Sequence, residues 1–330
     1  ENYKKRKLIN AAQQALNKQT EEAFDKFYQT YIEVQEVGRN DEQTTQDVLT
    51  EIYEEMHQDQ GGLTGVDTGF ADINKMTGGF QNGDLIIVAA RPSVGKTALA
   101  LNFSLNCCKS GGVSDVFSLE MPKKQLVQRM LSSIARINGA KWRNPYRMFS
   151  EQDFKKANKA IGIFGELDIY IHDEPNQTVA DIRAAVRRTQ RRHPDRKHLV
   201  VIDYLQLITI LGKFERNDIA IGSLTRELKQ MARQFNVPVV LLSQLSRAVE
   251  QRQDKRPILS DLRDSGNIEQ DADIVMLLYR EDYYEKERKD NLIEINIAKH
   301  RNGPIGTVKL LFEKEYSLFL NLAKDRGEEE

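Results

Sequence analysis

The stretch Asp84-Leu-Ile-Ile-Val-Ala-Ala-Arg-Pro-Ser-Val-Gly-Lys-Thr97 joins an apolar run to a short loop that ends in Gly-Lys-Thr. The apolar run predicts a buried strand over residues 85–90, and the residues after the loop predict a helix over 97–108. A strand, a tight loop ending in Gly-Lys-Thr and a helix are typical of a phosphate-binding loop, or P-loop. Backbone N–H groups of such a loop and the positive end of the helix surround a phosphate.

The loop therefore predicts a nucleoside triphosphate site, with Lys96 on the β- and γ-phosphates and the Thr97 hydroxyl on Mg²⁺. The strict pattern begins with glycine, and Ala90 stands at that position. The strand–helix context supports the motif, whereas the alternative is an ordinary turn with a surface lysine. The residues expected to contact the nucleotide are Ser93, Val94, Gly95, Lys96, Thr97 and Ala98.

Composition narrows the class of protein. The chain has 330 residues and a net charge of −1, so any contact with nucleic acid must come from local basic patches. The two cysteines, Cys107 and Cys108, are adjacent and are expected in a helix of a protein from a reducing compartment. No apolar run reaches about 18 residues, and no signal peptide is present, so we predict a cytoplasmic protein without a membrane span. The five histidines are expected at the surface.

Residues 1–60 differ from the remainder and predict a helical linker segment, followed by one α/β domain over 61–330. The first residue is Glu1, which indicates a fragment of a longer protein. Apolar positions predict helices near 8–16 and 47–57. A third apolar stripe at helical spacing packs either on its own domain or on a neighbouring subunit. The reason for the second alternative is that so thin a helical segment cannot build its own core. The stripe consists of Phe24, Phe27, Tyr28, Tyr31 and Ile32.

After Gly61-Gly62 the chain alternates between strand and helix patterns, which predicts a parallel sheet with helices on both faces. The end of the chain has the pattern of consecutive strands without helices between them, and Asn302-Gly303 is a turn signal between two of these strands. The predicted strands are 85–90, 115–119, 168–171, 198–202, 237–243, 274–279, 292–298 and 307–313, with one more within 314–322. The predicted helices of this part are 97–108, 123–138, 179–192 and 219–235.

Acidic and amide side chains end three of the predicted strands. Asp203 follows four apolar residues and is a candidate for holding Mg²⁺, because ligands of open sheets lie at the carboxyl edge. Glu120 ends another strand and is the candidate general base for the attacking water. Gln244 ends a third and is a candidate sensor of the γ-phosphate. Each residue alone is also compatible with an ordinary exposed position at a strand end.

Three groups of basic residues are candidates for contacts with phosphate or nucleic acid. Lys299 and Arg301 share one face at a strand end, where they reach a phosphate of their own site or of a neighbour's, or simply form a solvated edge. The arginines of helix 179–192 predict a solvated face or a subunit contact. Those between 247 and 263 lie on loops after the Gln244 strand, where they are suited to track a single nucleic-acid strand.

Together these stretches resemble the bacterial replicative DNA helicases of the DnaB type. The resemblance covers residues 61–322, and residues 1–60 resemble the linker of the family more weakly. The stretches that carry it are Gly83–Asn102, Phe117-Ser-Leu-Glu-Met121, Val201-Ile-Asp-Tyr-Leu-Gln-Leu207, Leu242-Ser-Gln-Leu-Ser-Arg247, Ser260-Asp-Leu-Arg-Asp-Ser-Gly266 and Ile297-Ala-Lys-His-Arg-Asn-Gly-Pro-Ile-Gly306.

The resemblance implies a RecA-like ATPase domain in a homohexameric ring, which moves 5′ to 3′ on single-stranded DNA at the expense of ATP with Mg²⁺. It implies that Lys299 and Arg301 act on the ATP of the adjacent subunit, and that Arg263, Asp264 and Gly266 hold the DNA backbone. Asp264 and His300 replace the Glu and Gln that many members have. The family's first linker helix docks on the next subunit, and its N-terminal helical domain is expected to be missing here.

Primase and a helicase loader are the further partners that the resemblance implies. Two other functions fit a nucleotide-binding RecA-like domain: a strand-exchange recombinase, and a nucleotide-gated DNA clamp or loading partner. A non-catalytic clamp needs no group that activates water, so Glu120, Asp203 and Arg301 favour a helicase over it.

Overall fold

The computed structural model divides into two units, Glu1–Gln60 and Gly61–Glu330. It describes residues 2–18, 23, 27, 30, 45–57, 63–203, 217–262, 265–285, 287 and 290–322. Within these residues no helix has the length and apolar character needed to cross a lipid bilayer.

The first unit contains two described helices, α1 (Asn2–Lys18) and α2 (Thr45–His57). Helix α1 contains the helix predicted near 8–16, and α2 contains the one predicted near 47–57. In α1, Ala15 is buried whereas Ile9 and Leu16 are exposed, so part of the apolar stripe is uncovered. Of the aromatic stripe only Phe27 is described, as a half-buried helical residue, and its other four members lie outside the described residues.

The second unit is built on one nine-stranded sheet with the order β3-β2-β4-β5-β1-β6-β7-β8-β9. The strands are β1 (Leu85–Ala90), β2 (Val113–Ser118), β3 (Ile169–His172), β4 (His198–Asp203), β5 (Val239–Gln244), β6 (Ile274–Tyr279), β7 (Leu292–His300), β8 (Gly306–Glu313) and β9 (Leu318–Asn321). Strands β1 to β6 run parallel to one another, and β7 to β9 continue the sheet in antiparallel pairs that begin with β6 and β7. The predicted parallel α/β fold with a strand-rich end is confirmed.

Helices cover both faces of the sheet. They are α3 (Ala71–Thr77), α4 (Lys96–Lys109), α5 (Lys123–Ala135), α6 (Pro145–Met148), α7 (Glu151–Gly165), α8 (Val179–Arg192), α9 (Asn217–Phe235), α10 (Ser265–Asp271) and α11 (Glu281–Tyr284). One core cluster centres on α4, with Phe103 completely buried, a second lies beneath α8 and α9, and a smaller third lies between α5 and α7. Burial on both faces explains why β1, β2, β4 and β6 are buried along their whole length.

Several elements depart from the sequence prediction, which contains none of the helices α3, α6, α7, α10 and α11. Residues 314–322 hold a 3₁₀ turn, Lys314–Tyr316, before β9, because Ser317 takes a left-handed φ of 52° that breaks the strand. Helix α7 is absent from the prediction because its buried face consists of small residues such as Ala157 and Ala160. A capping box formed by Ser150 and Asp153 begins this helix, and that signal precedes it in the sequence.

The expectation that the histidines lie at the surface is wrong for His198, which is 3% exposed. His198 and His172 both bond through Nε2 to the fully buried carboxylate of Asp115, at 2.7 and 2.8 Å. The Thr189 hydroxyl donates a third bond to the same carboxylate. Burial acts to raise the pKa of Asp115, but the bonds from the two histidines hold it below its usual value. Cys107 and Cys108 are buried free thiols, as expected for a helix in the core.

Candidate nucleotide-binding site

The P-loop lies between β1, which ends at Ala90, and α4, which begins at Lys96. Two loop residues take positive φ values, 66° at Ser93 and 125° at Gly95. A Cβ at Gly95 would stand 3.0 Å from Cε1 of Phe312. Both the backbone angle and the lack of space therefore require glycine there, which explains why this position of the Gly-Lys-Thr motif holds no side chain.

The loop borders a cavity of about 630 Å³ at the carboxyl edge of the parallel strands. Most of the predicted nucleotide contacts line this cavity: Ser93, Gly95, Lys96, Thr97 and Ala98. Val94 instead points into the core and is 2% exposed, and its carbonyl oxygen accepts a hydrogen bond from the Arg280 side chain. A cavity of this size at the end of a P-loop has room for a nucleotide.

Glu120 and Gln244 also line the cavity, although they come from different strands. Gln244 is the last residue of β5 and pairs in register with Ala90, where the P-loop begins. Glu120 follows the end of β2 and is exposed. The rule that the carboxyl ends of parallel strands share one edge thus brings together the residues that the sequence analysis selected one by one.

Asp203 lies behind the loop, at the end of β4, and is 3% exposed. Its Oδ2 accepts a 2.7 Å hydrogen bond from the Thr97 hydroxyl, and its Oδ1 lies 3.8 Å from Nζ of Lys96. Oδ1 is buried and accepts no hydrogen bond from the described residues. A buried carboxylate oxygen of this kind, beside a hydroxyl, is a suitable donor set for a hard cation bound to phosphates.

The charges at the site compensate one another only in part. Burial lowers the pKa of Lys96, and the carboxylates of Asp203 and Glu120 oppose that effect. Burial likewise lowers the pKa of Arg129, which projects from α5 into the cavity and is opposed by the same two carboxylates. The lining holds five cationic side chains and one acid, Glu120, with Asp203 behind the loop, which suits a ligand that carries several negative charges together with a divalent cation.

Several residues of the site were missed by the sequence analysis, because they come from chain regions far from any motif. Arg280 directly follows β6, Lys314 begins the turn before β9, and Ser317 follows that turn. The Arg280 guanidinium donates to the Val94 carbonyl at 3.0 Å and lies 5.2 Å from the ring centroid of Phe312. Asp282 pairs with both Arg280 and Lys314. The antiparallel end of the sheet thus forms one wall of the cavity.

Residues 65–321 match the protein-family model for the DnaB-like helicase C terminal domain. This chain belongs to the DnaB-like helicase family. The replicative DNA helicase DnaC of Bacillus subtilis strain 168 is 50% identical over 288 residues, which are 86% of this chain and 63% of that protein. The replicative DNA helicase DnaB of Rickettsia typhi is 38% identical over 97% of this chain and 72% of its own length.

Two solved structures support the same family. One is an ATPase domain with a TM-score of 0.82 and 44% identity, and the match covers 86% of this chain and all of that domain. A DnaB-like replicative helicase, solved in a study of its interactions with primase, has a TM-score of 0.85 and 42% identity over 97% of this chain and 76% of that one. This chain spans about 63% of the length of the B. subtilis relative.

In this DnaB-like domain, Lys299 and Arg301 lie far from the P-loop of their own chain. Strand β7 is antiparallel to β6, and His300 pairs with Ile274, at the start of β6. Ile274 in turn pairs with Ile86, near the start of β1, whereas the P-loop follows its end. At about 3.3 Å per residue, β1 separates the two edges by about 16 Å. The possibility that these cations serve their own phosphate site is therefore excluded.

The side chains of Lys299 and Arg301 both point toward the region where α10 ends. Nζ of Lys299 donates to the carbonyl oxygens of Glu269 and Ala272, at 2.5 and 2.7 Å. Arg301 pairs with Asp273 and keeps a side chain that is 53% exposed. His300 instead faces the Pro304 carbonyl. The predicted division of this strand end, with two cations on one face and the histidine on the other, is thus found.

The predicted DNA contacts stay a prediction, as do the roles predicted for the residues of the nucleotide site. Arg263 and Asp264 lie outside the described residues, and Gly266 lies in α10 without any described surroundings. The helix begins at Ser265, directly after those two residues, and ends beside Lys299. Of the other loop arginines, Arg252 pairs with Asp261, and Arg256 pairs with Glu294.

Proposed function

We propose that this chain is the ATP-hydrolysing motor of a replicative DNA helicase, which works as a homohexameric ring and moves 5′ to 3′ along single-stranded DNA. The names of the relatives support this proposal, and so does the membership of the family. The observation that carries it is the split of the catalytic groups. One half surrounds the P-loop cavity, and the other half, Lys299 and Arg301, lies at the opposite edge of the same sheet.

In the proposed reaction the P-loop and Lys96 hold the phosphates of ATP, and Glu120 takes the proton of the attacking water. The Gln244 amide contacts the γ-phosphate and transmits its loss to the loops that follow β5. Thr97 and Asp203 would hold Mg²⁺, which neutralises phosphate charge when it is bound. Two observations fit that ion: the hydrogen bond between these two residues, and the buried Oδ1 of Asp203, which accepts no bond from the described residues.

In this arrangement each subunit supplies part of two ATPase sites, the P-loop of one and the Arg301 of the other. Arg301 supplied by the next subunit would stabilise the charge that develops on the γ-phosphate, and Lys299 would assist it. A single subunit lacks this charge at its own cavity, so hydrolysis would depend on assembly. Coupling to assembly suits a motor that should consume ATP only when it is a ring.

For the DNA, we propose that Arg263, Asp264 and Gly266 hold the backbone of one strand inside the ring. The segment that contains them begins after Gln244, so a γ-phosphate sensor and a DNA contact are connected directly through the chain. Arg263→Ala should weaken binding to single-stranded DNA and reduce its salt dependence by about one unit of slope. Primase and a helicase loader are the proposed protein partners, and the cytoplasm is the proposed location.

The trans role of Arg301 provides the decisive experiment. Arg301→Ala should keep ATP binding but lower kcat by about 10³-fold. Mixing it with Lys96→Ala subunits should restore turnover, because a site between the two has an intact P-loop and an intact arginine. Subunit exchange is verified with differently tagged chains. Normal ATPase activity of Arg301→Ala alone, or no recovery after verified exchange, contradicts the proposal.

The family match favours a helicase over a strand-exchange recombinase. Mass measurement with ATP and single-stranded DNA separates these two, because a helicase forms a hexamer and a recombinase forms a filament. A nucleotide-gated clamp would bind ATP without steady turnover, so a DNA-stimulated ATPase rate separates the helicase from that alternative.

A further inference from the structure

Asp273, directly before β6, is the residue through which Arg301 contacts the rest of the domain. Its Oδ1 accepts a 3.2 Å hydrogen bond from Nη1 of Arg301, and its backbone carbonyl accepts a 2.9 Å bond from the Arg301 amide. The carboxylate is 4% exposed, in contrast to the half-exposed arginine. A buried acid thus fixes the inner end of a cation whose other side faces outward.

The same carboxylate is fixed to β1. Oδ2 accepts a 2.8 Å bond from the amide of Leu85, the first residue of β1, and the Asp273 amide donates to the Leu85 carbonyl at 2.9 Å. Leu85 is completely buried, and six residues later the strand passes into the P-loop. Through Asp273, hydrogen bonds therefore connect Arg301 to β1, the strand that leads into the P-loop of the same subunit.

Lys229 completes the arrangement from α9. Its Nζ donates to Oδ2 of Asp273 and to the Gly83 carbonyl, at 2.5 and 2.7 Å. Asp84 lies beside it, with Oδ1 4.0 Å from the ammonium. Two cations and two acids thus share one small, mostly buried region. A buried carboxylate that receives three side-chain and main-chain donors has a single allowed orientation, and it imposes that orientation on the arginine.

We propose that Asp273 is a positioning residue, which fixes the guanidinium of Arg301 for the nucleotide of the next subunit and couples that arginine to the subunit's own P-loop through β1. The inference rests on the proposed trans role of Arg301. The guanidinium has five N–H donors in a planar fork, so the bond from Nη1 to Asp273 leaves donors for an anion on its far side. A lysine has no such fork, which explains why an arginine is needed at this position.

Asp273→Asn tests the proposal, since it keeps the shape and removes the charge. We expect kcat for ATP to fall about 10–100-fold, the cost of a misplaced catalytic group, with little change in KM. Mixing with Lys96→Ala subunits should restore turnover, because the mixed sites that have an intact P-loop take their arginine from a subunit with an intact Asp273. Damage to the variant's own P-loop would not be restored in this way.

A double variant tests the same inference without the need to mix subunits. If Asp273 acts through Arg301, then Asp273→Asn added to Arg301→Ala should lower kcat no further than Arg301→Ala alone. The matched control is Asp153→Asn, which also breaks a pair between a mostly buried acid and a cation, Lys141, but at the start of α7, where neither residue lines the cavity. It should leave kcat unchanged. If Asp273→Asn does not assemble, Asp273→Glu replaces it with the same expected outcomes, because it keeps the charge but displaces the arginine.

Three results separate the possibilities. Wild-type kcat in Asp273→Asn, while Arg301→Ala is inactive and restored by mixing, overturns this inference and leaves the proposed function intact. An additive loss in the double variant overturns it too. Normal activity of Arg301→Ala overturns the proposed function itself, and the inference with it.

Discussion

The Thr97 hydroxyl donates a 2.7 Å hydrogen bond to Oδ2 of Asp203. This bond joins the first turn of α4 to the last residue of β4. Because β4 and β1 are separated by β5 in the sheet, the contact spans the floor of the cavity. The two oxygens are therefore already adjacent, and the proposed cation would not need to bring them together.

The first prediction concerns this pair. Thr97→Ala removes the hydroxyl, so the Mg²⁺ concentration for half-maximal ATPase activity should rise about tenfold, as expected for loss of one oxygen ligand. Thr97→Ser keeps the hydroxyl and is the matched control, with a Mg²⁺ dependence close to that of the wild type. A Mg²⁺ titration of the ATPase rate measures both. An unchanged midpoint in Thr97→Ala would remove Thr97 from the metal site.

The site residues that could be predicted from the sequence are those that lie at or directly after the ends of strands. Asp203 and Gln244 end strands, Glu120 follows one, and the geometry of parallel strands places such ends at one edge whatever the strand order. Arg129 lies on an amphipathic helix, where nothing in the periodicity indicates which polar position faces the cavity. Arg280 depends on the antiparallel extension of the sheet beside the P-loop, a long-range arrangement that local patterns do not contain.

Arg129 provides the second prediction, because it is a cation of the site that sequence motifs do not identify. It lines the cavity, and its charge is balanced by Glu120 and Asp203. Arg129→Gln should lower kcat about tenfold or more, since it removes a fixed positive charge from a site where phosphate charge develops. Lys124→Gln changes an exposed cation of the same helix and is the control. Equal kcat values in the two variants would show that Arg129 is only structural.

The third prediction concerns Gly95, where backbone angle and packing act together. Gly95→Ala places a Cβ 3.0 Å from Cε1 of Phe312 at a φ of 125°, so the loop must shift and ATP affinity should fall about tenfold or more. Gly111→Ala has a φ of 87° but no atom within 4 Å of the new Cβ. It should cost about 1 kcal/mol of stability by strain alone and keep ATP affinity. Titration with a fluorescent ATP analogue and thermal melting separate the two effects.

The fourth prediction concerns the pH dependence of stability and follows from Asp84, directly before β1. Burial, reinforced by the negative charge of Asp273, raises the pKa of Asp84 from 3.8 to about 6, while Lys229 opposes the shift. Above pH 6 the carboxylate is ionised in both the folded and the unfolded chain, so the folded state bears the cost of a buried charge. Between about pH 4 and pH 6 the folded chain takes up a proton that the unfolded chain does not, and this cost disappears.

Asp84→Asn removes the ionisation without removing the shape. At pH 7.5 the variant should be more stable than the wild type by about 1–3 kcal/mol, which corresponds to a pKa shift of about two units. That difference should shrink as the pH falls from about 6 to about 4. Melting both proteins across this range at one salt concentration gives the result, and Asp195→Asn, a change at an exposed acid, should show no difference at any pH. If the wild type is instead more stable than Asp84→Asn at pH 7.5, the attraction between Lys229 and Asp84 exceeds the cost of burying the Asp84 carboxylate. The charged form of Asp84 would then stabilise the folded state.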